Sequence, residues 1–499
     1  MKRGIRRHFG VPGGRGPFTW AGVFLVLSMG AGCSVITSED YACSSNQECR
    51  AALGWGRVCG DSGLCEFAAP EPRCDQTIPS DLLDNPAAYR DTIVLGSVYE
   101  RDDFPKEVKS IALAINQVNE DGGLDGRHFG LIQCTISEDA DIDQLSEDDA
   151  AGAMSTWLAD EIGVPAIIGP ATSAHTSIVF QAVEDYGTLV ISASATSPAL
   201  TTLDGLSHSD DAPGLLWRTV PPDSLQGQAI AQSISDGGTD DASLPMVAVL
   251  YRDDSYGEGL ALAFVDAYAG AYELKAFSTN NGRDETIVEA GENAYDAVIF
   301  ISSDRSDIIG FLNAAAGLDG YVKDDEEDED YRDIFLADGA YDTSILDETR
   351  DEASILYPQI RGTRPSVPEG TVYNQFLASY SAAYGEDAST GGFTAHAYDA
   401  SWLVIYGSAW SYFHEGETIS GTGIASGLRH VSKGDEINIV PTSWTSVIAN
   451  FQEDQSIDVI GASGDLDYDA STEETTAPID IWKISSDGKT FEVVDTLYF

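Results

Sequence analysis

The stretch that decides the fold is residues 164–203, which reads VPAIIGPATSAHTSIVFQAVEDYGTLVISASATSPALTTL. An apolar run at residues 166–168 ends at Gly169-Pro170, a pair that signals a turn. A helical apolar pattern follows, and a second β-rich run begins at residue 188. This order of strand, loop, helix, strand and loop is typical of a parallel sheet with crossover helices. The stretch therefore predicts an α/β fold.

Both strands of this stretch end in loops that offer hydroxyl groups and free backbone N–H groups. Ser173 follows the first strand, and Ser194, Ala195 and Thr196 follow the second. In parallel sheets, ligands bind beyond the carboxyl ends of the strands, and helix N-termini suit anions. The pattern alone leaves two interpretations open. These residues are ligand contacts, or they are ordinary turn residues and caps, with Ser173 capping the next helix.

The composition indicates a folded and strongly acidic chain of 499 residues, enough for about two to four domains. It has 82 acidic and 27 basic residues and a formal net charge of −55. Such a surface repels phosphates, which excludes nucleic acid and anionic membranes as favourable partners.

No nucleophile elbow, phosphate loop or metal-ligand spacing occurs, so we expect no enzymatic activity, no metal and no cofactor.

Residues 1–32 are predicted to be an export signal. They hold five basic residues, no acidic residue and a short apolar core at residues 21–27. The small residues before Cys33 resemble a bacterial lipoprotein cleavage site, with Cys33 as the lipidated residue. We therefore expect the protein in the periplasm or cell envelope, held at the membrane through a lipid anchor only.

The other six cysteines predict a disulfide-stapled module and linker over residues 33–89. Five of them are close together, with no CxxC pair and no histidine among them, which disfavours the alternative of a zinc site. The spacing permits four cysteines of the cluster to pair internally and the last two to pair with each other, but it selects no connectivity. The candidates are Cys43, Cys49, Cys59, Cys65, Cys74 and Cys134.

Two successive blocks of strand and helix patterns follow the module and predict two lobes. The first begins with a strand at residues 93–98 and an apolar helical face over residues 108–118. The acidic residues 138–149 are predicted to be a loop. The second block contains a strand at residues 334–337, and the acidic run at residues 324–330 is predicted to be an exposed loop.

Several short motifs, each weak alone, together resemble the type I periplasmic binding proteins of the leucine/isoleucine/valine-binding family. The resemblance covers about residues 92–493, and its strength lies in the order and spacing of the motifs. They are residues 114–116 with 122–126, 168–170 with Ser173, 218–219 with 222–223, 254–257, 397–400, and 461–464 with Asp469.

The resemblance implies two Rossmann-like lobes joined by three crossings, preceded by the Cys-rich module, with a ligand held in the cleft between the lobes. By this likeness, lobe one takes residues 90–218 and 365–475. Lobe two takes residues 219–364 and 476–499. Closure over a ligand would be a hinge motion.

The resemblance also implies ligand contacts. Family members that bind amino acids hold the carboxylate with a Ser after one strand, matched by Ser173, and a small-residue turn after the next. Ser194, Ala195 and Thr196 match that turn. A Tyr covers the ammonium group and an acidic residue pairs with it. A buried zwitterion needs both kinds of partner. Tyr256 matches the tyrosine and Asp338 matches the acidic residue. The alternative interpretations are that Tyr256 only packs in the core and that Asp338 is only a surface charge.

Loops bearing Phe104, Ser303 and Arg305 are candidates for contacts with the ligand side chain. Arg305 is consistent with selection of an acidic side chain or with a plain surface position. The function implied by the resemblance is capture of an amino acid or related solute for an ABC importer, with a permease as partner. The alternative is an extracytoplasmic ligand-sensing receptor subunit that acts through a partner protein.

Overall fold

The computed structural model describes residues 41–139, 141–236, 244–322 and 333–499. The predicted export signal at residues 1–32, the predicted lipidation site Cys33 and the acidic run at residues 324–330 lie outside the described residues. Within the described ranges, no helix has both the length and the apolar character needed to cross a bilayer.

A small disulfide-bonded module comes first in the described chain. Disulfides join Cys43 to Cys59 and Cys49 to Cys65, so four of the predicted cysteines pair within the cluster. The module packs on the body of the protein, since the Gly56 N–H donates to the Ile162 carbonyl at 2.8 Å. Its elements are α1 (Asn46–Leu53) and an antiparallel hairpin of β1 (Arg57–Cys59) and β2 (Cys65–Phe67).

Lobe one is built on a six-stranded sheet. Its central strands β4 and β5 are buried along their whole length, as expected for a parallel sheet covered on both faces. The strands, in spatial order, are β3 (Gln76–Ile78), β5 (Phe129–Thr135), β4 (Ile93–Tyr99), β6 (Ala166–Ile168), β7 (Leu189–Ser192) and β8 (Leu216–Arg218). All pairs are parallel except β3 with β5.

Helices cover both faces of this sheet. One long helix lies at the centre of one face and is buried around its whole circumference from Thr394 to Ser411, mostly through apolar and small side chains. This central helix is α11 (Thr394–Glu415). The others are α2 (Pro105–Glu120), α10 (Thr371–Tyr384), α12 (Gly421–Leu428) and α13 (Trp444–Gln452) on the same face, and α3 (Glu147–Thr156) and α4 (Ser173–Val183) on the opposite face.

Two motifs of the resemblance meet at the buried side chain of Asp399 on α11. Its carboxylate accepts from the Ala462 N–H at 2.9 Å and from the Ser463 hydroxyl at 2.6 Å. A Cβ at Gly461 would collide with the same carboxylate, which explains the glycine there. Burial raises the pKa of Asp399 to about 7. Residues 461–464 form a loop directly after β15 (Ile457–Ile460). This strand pairs in parallel with β14 (Asp435–Asn438).

Lobe two is built on a seven-stranded sheet. In spatial order its strands are β10 (Tyr272–Phe277), β9 (Val247–Arg252), β11 (Ala297–Ile301), β12 (Asp333–Leu336), β13 (Ile360–Pro365), β16 (Ile479–Ile484) and β17 (Phe491–Leu497). The first five are parallel, and the last two add an antiparallel edge. Its helices are α5 (Asp223–Asp236), α6 (Ser255–Ala267), α7 (Asn280–Glu292), α8 (Arg305–Ala316) and α9 (Thr343–Ala353).

The chain passes between the two lobes three times: after β8, after β13 and before β16. The first crossing leads directly into α5. The lobes also touch, since the Ser197 hydroxyl of lobe one donates to the Ser255 carbonyl of lobe two at 2.6 Å. The predicted architecture of two Rossmann-like lobes with three crossings is therefore confirmed.

Some local predictions were wrong. The acidic residues 138–149 are not all loop, because α3 begins at Glu147 with the hydroxyl of Ser146 accepting from the Asp149 N–H. The sequence patterns also missed β10, α7 and β17. β10 has only two buried residues, α7 has three and β17 has none, so their apolar periodicity is weak.

The third disulfide joins Cys74 to Cys134 and clamps β3 onto β5 across a sequence separation of 60 residues. We expect the double variant Cys74→Ala, Cys134→Ala to lose about 2–4 kcal/mol of unfolding free energy, measured by urea denaturation. The matched control is Cys49→Ala, Cys65→Ala, which opens a loop of 16 residues. Because a longer loop loses more entropy on closure, an equal or larger loss in the control would contradict this account.

Candidate functional site

Ser173 is the first residue of α4 and is buried, with 1% of its surface exposed. The interpretation of Ser173 as the helix cap is wrong, because the Thr172 hydroxyl accepts from the His175 N–H and caps the helix. Ser173 Oγ instead accepts from the Ser197 N–H at 3.1 Å. Its own O–H can still donate. Ser173 therefore joins the two strand-end loops of the opening stretch.

The loop after β7 is held by its own small residues. The Ser194 hydroxyl donates to the Ala171 carbonyl at 2.8 Å, and the Ala195 N–H donates to Ser192 Oγ at 3.1 Å. Thr196 is 1% exposed, and its Oγ1 makes no hydrogen bond of normal geometry among the described residues, although it lies close enough to the Asp223 carboxyl to lower the pKa of that group. A buried hydroxyl without a partner is costly, so Thr196 is ready to bond to a ligand.

A cluster of polar side chains from lobe two faces this loop. Asp338 follows β12, and its Oδ1 accepts from the Tyr256 hydroxyl and, at 3.1 Å, from Gln226 Nε2. Gln226 Nε2 also donates to Asp223 Oδ1 at 2.8 Å, so one amide bridges two carboxylates. Asp223 is fully buried, and its N–H donates to the Thr196 carbonyl at 2.8 Å. We name Thr196, Asp223, Gln226, Tyr256 and Asp338 the inner cluster.

The inner cluster carries two buried carboxylates whose hydrogen bonds come from neutral groups. Burial raises the pKa of Asp338, and burial together with the charge of Asp338 raises the pKa of Asp223 well above its ordinary value. Asp223 Oδ2 makes no hydrogen bond of normal geometry within the described part of the chain, and the Thr196 side chain beside Asp223 offsets only part of the rise in its pKa. Burial and both carboxylates raise the pKa of Tyr256, which keeps its phenol protonated as a donor. A cation placed here would relieve the carboxylates.

Arg218 holds the loop after β7 in position. Its guanidinium donates to the carbonyls of Ala195 at 3.1 Å and Ser197 at 2.9 Å, which flank Thr196. It also makes a bidentate ion pair with Glu474. Arg218 is 2% exposed, and its charge is matched by Glu474, so it acts as a structural support for the loop.

Outside the inner cluster lies a cavity of about 870 Å³ between the lobes. The three residues predicted to contact the ligand side chain, Phe104, Ser303 and Arg305, all line this cavity. Arg305 is already engaged, since it donates to Ser344 Oγ and to Glu348 Oε1 at 2.6 Å.

The structure thus brings Thr196, Tyr256 and Asp338 into one cluster, with Ser173 bonded to the loop that carries Thr196. Ser194 and Ala195 shape this loop through hydrogen bonds within lobe one. Sequence reasoning missed Asp223 and Gln226 as site residues. The sequence does indicate Asp223, because this residue directly follows the Pro-rich segment of the first crossing, and a crossing between lobes passes beside the cleft.

The unpartnered hydroxyl of Thr196 gives a direct prediction. We expect Thr196→Val to leave the unliganded protein about as stable as before, because the change removes a buried hydroxyl that makes no hydrogen bond of normal geometry. Ligand affinity should fall by about tenfold if that hydroxyl bonds to the ligand. Thermal unfolding measures the stability and calorimetry measures the affinity. Unchanged affinity would show that the Thr196 hydroxyl does not contact the ligand.

Two parallel-sheet lobes, closed over buried polar side chains from both, define a two-lobed ligand-binding protein of the type I periplasmic binding fold. Residues 106–486 match the family described as "Receptor family ligand binding region". Because the match covers most of the sequence, the chain belongs to this family.

Two curated relatives are similar over part of the chain. The "Chemotactic signal transduction system substrate-binding protein BasB" of Halobacterium salinarum is 29% identical over 201 residues, which are 40% of this chain and 45% of the relative. The "Leucine-, isoleucine-, valine-, threonine-, and alanine-binding protein" of Pseudomonas aeruginosa is 30% identical over 149 residues, 30% of this chain and 34% of the relative. The matched parts span less than half of each relative.

Solved structures show the same fold over most of the chain. The branched-chain amino acid transporter substrate-binding protein LivJ of Streptococcus pneumoniae, in complex with isoleucine, has a TM-score of 0.58 at 21% identity. It covers 81% of this chain and 99% of its own. The leucine-binding protein LivK of Thermotoga maritima has a TM-score of 0.59 at 15% identity, with coverage of 81% and 99%. At these identities the likeness establishes the fold alone.

Proposed function

We propose that this chain is a solute-binding protein that captures an amino acid between its two lobes. The observation that carries the proposal is the inner cluster, where a buried pair of carboxylates from lobe two faces an unpartnered hydroxyl of lobe one. Negative groups on one side and a hydroxyl donor on the other suit a zwitterion. The proposed bounds are residues 90–218 and 365–475 for lobe one and residues 219–364 and 476–499 for lobe two.

In this proposal, the ligand ammonium pairs with Asp338 and Asp223. Two raised carboxylate pKa values would then fall when the cation arrives. The ligand carboxylate accepts from the hydroxyls of Thr196 and Ser173. Since these groups come from both lobes, the ligand would hold the cleft closed, as expected for hinge closure. The amino-acid ligands named for two of the similar proteins support this choice.

The partner we propose is the permease of an ABC importer, which is supported by a protein of the same fold that is named an ABC transporter substrate-binding protein. A ligand-sensing receptor subunit is the second candidate, because BasB is named as part of a chemotactic signal transduction system. Uptake of labelled ligand and chemotaxis toward it, measured in a deletion strain, distinguish the two. Loss of uptake alone supports the importer, and loss of chemotaxis alone supports the receptor.

We propose that the protein is exported and lipid-anchored through Cys33, which the basic residues and short apolar core before it support. Metabolic labelling with a radioactive fatty acid tests this. Wild-type protein should be labelled and membrane-bound, and Cys33→Ser should be unlabelled. Labelling of the variant would place the anchor elsewhere.

A thermal-shift screen of residues 41–499 against amino acids, amides and small carboxylates tests the binding function. A ligand present at 100 times its dissociation constant should add about 2.7 kcal/mol of stability. A shift with one class of amino acid that is lost in Asp338→Asn supports the proposal. Absence of a shift with every amino acid contradicts it.

A further inference from the structure

None of the five inner-cluster residues lines the cavity between the lobes, but residues that adjoin the site do. The lining includes Thr172 and Ala174, which flank Ser173 at the start of α4. It also includes Ser303, and a Cβ added at Gly339 would lie 3.4 Å from the Cα of Ser303, so that loop abuts the residue after Asp338. A ligand whose ammonium group pairs with Asp338 would therefore extend its side chain into this cavity.

The lining of the cavity is dominated by negative charge. Ten of its residues are Asp or Glu, and they come from both lobes. Arg252 is held by Asp307 at 2.6 Å and Asp304 at 3.2 Å, and Arg305 is held by Glu348 at 2.6 Å. Both arginines of the lining are thus neutralised by acidic neighbours. Five of the ten carboxylates pair with an arginine or with His175, and the other five have no ion pair among the described residues.

The N-termini of α2, α3 and α4 of lobe one line the cavity, and that of α4 already holds an anion from the protein. The Glu100 carboxylate accepts from the Ala171 N–H at 3.1 Å and from the Thr172 hydroxyl at 3.0 Å. His175 Nδ1 lies 2.5 Å from the same carboxylate. Because Glu100 already accepts from these donors, a negatively charged side chain of a ligand would be repelled by its carboxylate instead of binding to the N–H groups at the start of α4.

Carboxylates of the two lobes repel each other across the cavity. Burial, and then the charges of Asp304 and Glu100, raise the pKa of Asp103. Burial raises the pKa of Glu147, the nearby His175 opposes this rise, and the charges of Glu100, Asp103 and Asp304 add to it. Because Asp103 and Glu147 belong to lobe one and Asp304 to lobe two, closure of the cleft brings like charges together. A cation between them would remove this opposition.

We infer that the ligand carries a second cationic group, an amine or guanidinium on its side chain, so that the preferred class is the basic amino acids. The inference rests on the proposed function, since the unpartnered Thr196 hydroxyl and the unpartnered, fully buried Asp223 oxygen mark the ligand site beside the cavity. The inner cluster holds the ammonium group common to all amino acids, and the cavity selects the side chain.

Lysine and norleucine test the inference, because their side chains have the same number of methylene or methyl carbons and differ by the terminal ammonium group. We expect lysine to bind at least about tenfold more tightly than norleucine by calorimetry, and added salt should reduce this advantage. In the double variant Asp103→Asn, Glu147→Gln, the advantage of lysine over norleucine should be lost, with norleucine affinity the same or higher because the repulsion that opposes closure is relieved.

The matched control is Glu120→Gln, an exposed residue at the opposite end of α2 from the cavity, which should leave both affinities unchanged. Norleucine or leucine binding as tightly as lysine would overturn the inference and leave the proposed function intact. An equal loss of lysine affinity in Glu120→Gln would also overturn it, because the general surface charge would then be the cause. Failure of every amino acid to bind would overturn both proposals.

Discussion

Replacing Asp338 by asparagine is expected to lower amino-acid affinity by roughly 30-fold or more. Loss of one partner of a buried charged pair costs about 2–5 kcal/mol, and each 1.4 kcal/mol is about tenfold in affinity. Asparagine keeps the size of the side chain and an oxygen that accepts from Tyr256 and Gln226, so the loss reports on charge. Calorimetry with the best ligand of the screen measures the effect.

The same variant should not destabilise the unliganded protein. Because burial raises the pKa of Asp338, the folded protein binds this proton more tightly than the unfolded chain. The ionised carboxylate therefore opposes folding once the pH exceeds the ordinary pKa of Asp, and its penalty grows until the pH passes the raised value. At neutral pH we expect Asp338→Asn to unfold at the same temperature or higher.

The control for Asp338 is Asp319→Asn, an exposed acid of lobe two outside the cluster, which should change neither affinity nor stability. Unchanged affinity in Asp338→Asn would show that this carboxylate is not a ligand contact. A fall in stability equal to the fall in binding free energy would show that it is mainly a structural residue.

The opening stretch shows how much of the fold the sequence reveals. The predicted strand at residues 166–168 is β6, and the helix and second strand that follow are α4 and β7. These elements are readable because a continuous apolar run and turn residues are local signals. The structure assigns the cap to Thr172 instead of Ser173, since both are hydroxyl residues and only the backbone geometry distinguishes them.

The site was predictable only in part. Thr196, Tyr256 and Asp338 were predicted from motifs to contact the ligand, and the structure brings the three side chains together. Gln226 was not, because its role comes from bridging Asp223 and Asp338, which are far apart in sequence. The hydrogen bond from the Ala171 N–H, just before α4, to the Glu100 carboxylate is likewise a contact between residues far apart in sequence. A local sequence pattern does not predict which of the many acidic residues binds to the N-terminus of a particular helix.

Arg218→Met is expected to lower the unfolding free energy by about 3–5 kcal/mol, because it leaves the charge of Glu474 buried without its partner. It also removes the donors to the carbonyls of Ala195 and Ser197. Urea denaturation measures the loss. Since the loop around Thr196 depends on these bonds, ligand affinity should fall as well, although Arg218 contacts no ligand in the proposal.

The matched control is Arg350→Met, which breaks an exposed ion pair with Asp347 on one helix turn and should change stability very little. The double variant Arg218→Met, Glu474→Gln separates the two roles of Arg218. With the buried charge removed, most of the lost stability should return, because the unpaired carboxylate was its main cause. Ligand affinity should stay low, since neither new side chain donates to the Ala195 and Ser197 carbonyls in the place of the guanidinium. Recovery of affinity together with stability would instead mean that the ion pair alone supports the site.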